Sequence, residues 1–199
     1  SLFKIMKSPL MPISESSVQE MFDLVLKDNP DVGVTEESIL KAYPDYPKQK
    51  GAMEISRDAG FRMPSIWLAE AHSKVTPTWM YRFDQAPPLM KLLGIGASHS
   101  TELPYVFGTL PTKMNKQALQ FRLGGLKEAH AISERMQRRW VNFAHHSDPN
   151  IILEDGSISW PGYDENARAT LLIDGKDSIA YDPDGNIRQA WGEEVIGYK

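Results

Sequence analysis

Thr78-Trp-Met-Tyr-Arg-Phe-Asp84 is where the chain changes character. Trp79, Tyr81 and Phe83 alternate with mostly polar neighbours, which is the period of a β-strand. Upstream of this stretch the pattern is helical. Ser17-Val-Gln-Glu20 matches a capping box, and Met21, Leu24 and Val25 follow at helical spacing, so a helix is predicted to about Lys27. Asn29-Pro30 ends it, because the residue before a proline is driven out of the helical region. Thr35 caps a second short helix that ends before Pro44. A longer helix covers Gly51 to Glu70, is interrupted near Pro64, and presents Ile66, Trp67 and Ala71 from its second part. The first fifteen residues, with Pro9 and Pro12, read as an irregular connection.

Downstream of the strand comes a loop containing Pro87, Pro88, Gly94 and Gly96. The strongest helix signal runs from Gly125 to His146, with Leu126, Ala129, Ser133, Met136, Trp140 and Phe143 on one face. Arg135, Arg138 and Arg139 lie mostly off that stripe and read as a solvated face. Ala169 to Ile173 reads as a late strand closed by an Asp174-Gly175 turn, and a final hairpin is expected to turn at Asp184-Gly185. Several helices therefore accompany few strands. A sheet that small beside so much helix points to an incomplete α/β domain.

Composition narrows the function. The 199 residues allow one domain or a large piece of one, and a hydrophobic content of 41% can bury a sizeable core. The net charge is −4 with no long basic run, so nucleic acid is not an expected partner. There is no cysteine, which excludes disulfides, thiol catalysis and thiolate metal sites. No Asn-x-Ser/Thr sequon occurs. Both facts fit an intracellular, bacterial setting, and a cytoplasmic location is the expectation. The apolar runs are too short to span a bilayer. With no initiator Met and no signal pattern at Ser1, the chain is expected to begin within a longer polypeptide.

Five histidines could move protons near neutral pH. His72 closes a helical pattern, His130 sits inside the long helix, and His145 and His146 sit at its C-terminal end, where the helix dipole favours a cation. Capping or surface placement accounts for these four. His145, His146 and Asp148 do not make a metal site, because adjacent helical residues point in different directions. His99 differs. It lies in Gly94-Ile-Gly-Ala-Ser-His-Ser-Thr-Glu-Leu103, a loop soon after a strand, where α/β enzymes place reactive groups. From its position alone it is either catalytic or a loop histidine hydrogen-bonded for structure. The same loop is not a dinucleotide fingerprint, since His99 stands where a third glycine is needed. No Gly-x-Ser-x-Gly nucleophile elbow occurs in the chain.

Gly96-Ala-Ser-His99-Ser-Thr-Glu-Leu-Pro-Tyr-Val-Phe-Gly108 resembles the catalytic-histidine segment of the type B carboxylesterases, which include bacterial para-nitrobenzyl esterases and the cholinesterases. Flanking stretches fall in the same order as in that family. Trp79 to Asp84 resembles the strand before the histidine loop, Trp140-Val-Asn-Phe-Ala144 and Asp148-Pro-Asn150 the helix and turn after it, and Trp160-Pro-Gly-Tyr163 the segment before the last core strand. The likeness is strong from about Phe61 to Tyr163, weaker to Trp191, and poor over residues 1–50, save that Ser1-Leu-Phe3 resembles the stretch just after the family's acidic triad residue.

The resemblance implies an α/β-hydrolase fold, with residues 1–199 forming the C-terminal part of a single domain. It implies a serine carboxylesterase acting on a small-molecule ester through an acyl-enzyme, with no cofactor or metal. His99 would be the general acid and base, while the serine, the acid and the oxyanion hole would come from an upstream portion of the same enzyme. Glu102 is rejected as the acid, being three residues from His99, and is expected either to support the histidine loop from behind or to cap a helix. Leu89, Met90, Leu92 and Leu93 are expected to line a substrate pocket or to pack in the core. Two other readings compete: a non-catalytic interaction protein on the same fold, like the adhesion relatives of the cholinesterases, and an independent binding domain.

Overall fold

A computed structural model describes residues 15–28, 33–94, 96–112, 119–151 and 156–192. In chain order the elements are α1 (Glu15–Asp28), α2 (Glu36–Leu40), α3 (Gln49–Arg57), a π-helical turn (Asp58–Arg62), α4 (Met63–Ser73), β1 (Met80–Phe83), α5 (Pro88–Leu92), α6 (Leu103–Val106), a 3₁₀ turn (Leu119–Phe121), α7 (Leu126–His146), β2 (Ala169–Ile173), β3 (Ser178–Tyr181) and α8 (Gly185–Trp191). They divide into two compact units. The expected connection over residues 1–14 and the Asn29-Pro30 stop lie outside the described residues.

One unit comprises Trp79–Gly162 and Arg168–Tyr181 and contains the sheet, in the order β1-β2-β3. β1 and β2 are parallel, with Met80 facing Thr170 and Phe83 facing Ile173. Parallel neighbours need a crossover, and α7 lies on the connection between them. Its Ala129, Ile132 and Met136 are buried in one cluster with Leu171, Ile173, Tyr105, Leu110 and Trp160. Trp79, Tyr81 and Phe83, the alternating aromatics of the sequence, pack against that cluster.

The stripe expected on α7 is buried at Ala129, Ser133 and Met136. Trp140 and Phe143 carry it on at the edge of the core: Trp140, half-buried, meets the Tyr81 ring edge-on at 5.1 Å, and Phe143, 49% exposed, meets the Trp79 ring edge-on at 5.7 Å. Arg139 and Asn142 are buried beside them and widen that face. Arg139 therefore does not belong to a solvated face. Its Nη2 donates to Ile158 O at 2.6 Å, and its guanidinium carbon lies 6.0 Å from the Trp160 ring centroid. Burial pulls its pKa below the ordinary arginine value. Arg135 is half-buried and pairs with Asp177 at 2.9 Å, while Arg138 is half-buried as well.

The hairpin expected at Asp184-Gly185 lies earlier. β2 turns through residues 174–177 into β3, which pairs antiparallel to it with Leu171 facing Ile179. Asp184-Gly185 opens α8, in the other unit. Gly185 N donates to Asp182 O at 3.0 Å, and Arg188 forks onto the Asp182 carboxylate at 2.9 and 3.1 Å. Ile187 and Trp191, one helical turn apart, are both buried.

That second unit is helical, built from α1–α4 and α8 within the residues described. Val18, Met21, Phe22, Val25, Ile39, Ile55, Met63, Trp67 and Trp191 share its core. The capping box expected at Ser17 is not the helix start, because α1 already includes Glu15; of the residues at helical spacing, Met21 and Val25 are buried and Leu24 is exposed. Thr35 caps α2 as expected: Ser38 N donates to Thr35 Oγ1 at 3.2 Å and Thr35 N donates to Ser38 Oγ at 3.1 Å. The interruption before Pro64 is the π-helical turn, and Ala71 faces out while Trp67 is buried. Asp58, fully buried in that turn, receives hydrogen bonds from Tyr43 Oη at 3.0 Å and from Arg57 at 2.7 and 3.2 Å, with Arg62 at 3.4 Å. Trp191 Nε1 in turn donates to Tyr43 Oη at 2.7 Å.

Candidate active site

The chain leaves β1 through Asp84 and Gln85, whose amides both donate to Ile173 O, at 2.9 and 3.1 Å. The next segment thus starts at the C-terminal end of the two parallel strands, the end at which open α/β sheets gather functional groups. α5 comes first. Gly96 N then donates back to Met90 O at 3.3 Å, and Gly96 reverses the chain with a φ of +63° that a side chain would resist.

His99 occupies the first inner position of a tight turn. Thr101 N donates to Ser98 O at 3.1 Å across it. The second inner residue, Ser100, holds a φ of +65°, as the turn type requires but a serine rarely adopts. Thr101 fixes this conformation with its side chain: Oγ1 donates to Ser98 O at 2.6 Å and accepts from Ser98 N at 3.1 Å. The His99 side chain is exposed.

The turn runs directly into α6. Leu103 N donates to Ser100 O at 3.4 Å, and Val106 N to Glu102 O at 3.0 Å. Tyr105 anchors the helix. It is buried, its ring meets Phe83 edge-on at 4.9 Å, and its carbonyl accepts from Ser133 Oγ of α7 at 2.6 Å. Gln137 Nε2 donates to that same Ser133 Oγ at 2.8 Å. The Tyr105 phenol is pushed up to about 12, chiefly by burial. The Gln85 amide lies close enough to offset part of that rise. Even so, the Gln85 amide and the Tyr105 hydroxyl complete no hydrogen bond of good geometry with any described residue.

Glu102 is half-buried at the N-cap position of α6, and its side chain makes no capping bond there. Its negative charge adds to burial in raising the Tyr81 phenol. Of the expected pocket residues, Leu89 and Met90 are half-buried, while Leu92 and Leu93 are 74% and 59% exposed, so core packing does not describe the latter two. His72 is exposed in the last turn of α4. His130 Nε2 lies 2.9 Å from Pro111 O and donates to it. His145 and His146 are exposed at the end of α7. Among the described residues no three His, Asp or Glu side chains are grouped to hold a metal, and no helix is long and apolar enough to cross a membrane.

The residues that fix the histidine turn were not singled out in the sequence. The signal available was Ser133, a polar residue inside an apolar stripe.

A sequence model of the carboxylesterase family matches residues 18–191, which include the His99 turn, α6, α7 and all three strands. The chain belongs to the carboxylesterase family. This carboxylesterase chain is 33% identical over 150 residues to the para-nitrobenzyl esterase of Bacillus subtilis, covering 72% of the chain and 28% of that protein. It is 30% identical over 124 residues to the dog carboxylesterase 5A, covering 60% of the chain and 20% of that protein. Solved structures agree. A PNB esterase superposes with a TM-score of 0.62 at 30% identity, over 77% of this chain and 29% of the other. A Geobacillus stearothermophilus carboxylesterase superposes with a TM-score of 0.64 at 25% identity, over 90% and 35%. The carboxylesterase chain thus spans about a third or less of the length of the relatives it matches. The three strands and their helices are part of the α/β-hydrolase fold of these structures.

Proposed function

We propose that this chain is the C-terminal part of a single-domain serine carboxylesterase of bacterial origin, and that His99 is its general acid and base. The observation that carries the reading is the family match across residues 18–191, taken with the His99 turn at the C-terminal end of β1. A serine from an upstream portion of the enzyme attacks the carbonyl carbon of a small carboxylic ester. His99 accepts the serine proton as the C–O bond forms, then delivers it to the alcohol as the ester C–O bond breaks. Water attacks the acyl-enzyme, giving its proton to the same imidazole, and the serine leaves with that proton as the acid is released. An upstream carboxylate orients the ring. Glu102 supports the turn from the side of Tyr81, and Leu92 and Leu93 offer apolar surface to the ester. No cofactor takes part. Residues 1–199 alone supply neither serine nor acid to this scheme and are expected to be inactive.

The test is His99→Ala in the complete enzyme, assayed on a simple activated ester beside His130→Ala at matched folded concentration. Loss of the proton acceptor removes attack rather than binding, so the fall should appear in kcat, on the order of 10⁴-fold. His130 bonds a backbone carbonyl, and its loss should leave turnover largely intact. Near-normal turnover by His99→Ala, or equal losses in the two variants, would overturn the assignment and favour a non-catalytic protein on this fold.

A further inference from the structure

His99 is exposed on its turn, so the backbone beneath it decides where the imidazole is presented. The turn is locked internally by Thr101, but its position depends on α6, a helix of four residues that cannot hold itself in place. α6 is tied down through Tyr105. The Phe83 ring holds the Tyr105 ring to the end of β1, and Ser133 Oγ holds its carbonyl to α7.

The Ser133 bond is unusual for a helix interior. A serine hydroxyl there commonly turns back onto a carbonyl of its own helix. Ser56 of α3 does so, donating to Ala52 O at 2.8 Å. Ser133 instead donates across to Tyr105, and Gln137, one turn further along α7, donates to its oxygen and so fixes the rotor. Gln137 also closes the far end of the segment. A Cβ on Gly108 would lie 3.1 Å from the Gln137 amide, so the backbone there rests against that side chain. Two residues at i and i+4 of the longest helix thus meet the segment, Ser133 by a hydrogen bond at Tyr105 and Gln137 by close approach at Gly108, the C-terminal boundary of the histidine segment.

We propose that Ser133, oriented by Gln137, is a positioning residue for His99. The inference rests on the reading of His99 as the general base. Through the Tyr105 carbonyl, Ser133 holds α6 against α7, and α6 in turn carries the turn that presents the imidazole. A shift of about 1 Å at a reacting group can cost about 10²-fold in rate while leaving ground-state binding alone. The effect of Ser133 therefore belongs in kcat and not in KM.

The experiment compares Ser133→Ala, Ser133→Thr and Ala129→Gly in the complete enzyme. Ala129 is fully buried one turn earlier on α7, so Ala129→Gly weakens the same helix without touching the Tyr105 carbonyl. Ser133→Ala is expected to lower kcat at least ten-fold with KM unchanged. Ser133→Thr keeps the hydroxyl and is expected to restore kcat to within about three-fold of the parent, and Ala129→Gly to lower the melting temperature while kcat holds. Equal kcat losses in Ser133→Ala and Ala129→Gly, a rise in KM alone, or no recovery in a folded Ser133→Thr would overturn the proposal. If His99→Ala abolishes turnover while Ser133→Ala does not lower it, positioning by Ser133 fails and the assignment of His99 stands. If His99→Ala leaves turnover intact, both fail.

Discussion

The two units each bury a tyrosine hydroxyl and treat it in opposite ways. In the helical unit, Tyr43 Oη donates to Asp58 and accepts from Trp191, so every polar atom of that trio has a partner. In the sheet unit, the Tyr105 hydroxyl has no well-formed bond among the described residues, and neither has the Gln85 amide beside it or Nη1 of Arg139. All the buried side-chain polar atoms left without partners among the described residues fall in the sheet unit. Buried polar groups without partners are few in folded proteins, because each costs the free energy of leaving water. Gln85 and Tyr105 lie on the two segments that lead into and out of the histidine loop.

The largest break in this comparison comes from the satisfied side. Asp58→Ala removes the acceptor of Tyr43 and the partner of Arg57 and Arg62, and should destabilise the fold by about 3 kcal/mol in chemical denaturation. The expected loss is at the low end for a broken buried pair because the Arg57 side chain is half exposed and can turn to water. A loss below about 1 kcal/mol would mean that the network is ornamental. On the other side, Tyr105 contributes a pH dependence. Its folded pKa of about 12 exceeds the unfolded value near 10, so well below pH 10 both states stay protonated and the group adds no pH dependence. Above pH 10 the unfolded state loses its proton first, and stability falls until about pH 12, by on the order of 2 kcal/mol. Tyr105→Phe should remove that share of the alkaline loss in melts from pH 8 to 12. An unchanged alkaline profile would show the hydroxyl to be hydrated. The smallest effect is expected at Gln85. Replacing an unpaired buried amide by an apolar side chain of similar volume removes a desolvation cost, so Gln85→Met should be neutral or stabilising by up to about 1 kcal/mol. A loss of 2 kcal/mol instead would show that the amide is paired in solution.

The same contrast governs what the sequence reveals. β1 alternates with period 2, β2 is a short apolar run closed by a turn, and α7 carries a helical pattern, so all three can be read directly, while the histidine segment is legible through its likeness to a family. Arg139 misleads because its charge suggests water, whereas its stem fills the stripe between Met136 and Asn142 and its head finds Ile158 O. Asp184-Gly185 reads as a turn, yet Asp182 offers Arg188 a fork, and Ile187 and Trp191 repeat at helical spacing. α5 and α6 are too short for any periodicity, although Pro88 and Pro104 both stand in a first helical turn. The anchoring of the histidine turn is illegible for a different reason. The Ser133–Tyr105 bond joins a side chain to a backbone carbonyl, and no residue pattern encodes a carbonyl's direction.

Met80 faces Thr170, although the whole histidine loop and α7 lie between them along the chain. Such pairing must await synthesis of β2, and closing so long a loop carries a large entropy cost before any contact repays it. During translation, α7 can form early, since its hydrogen bonds are local, and its cluster can gather Tyr105 and Leu110 at once, but it lacks Leu171 and Ile173 until β2 is made. For that interval part of the helix's apolar stripe is uncovered. The order of events at the ribosome, as much as the final energy, then decides whether this part of the molecule folds or aggregates.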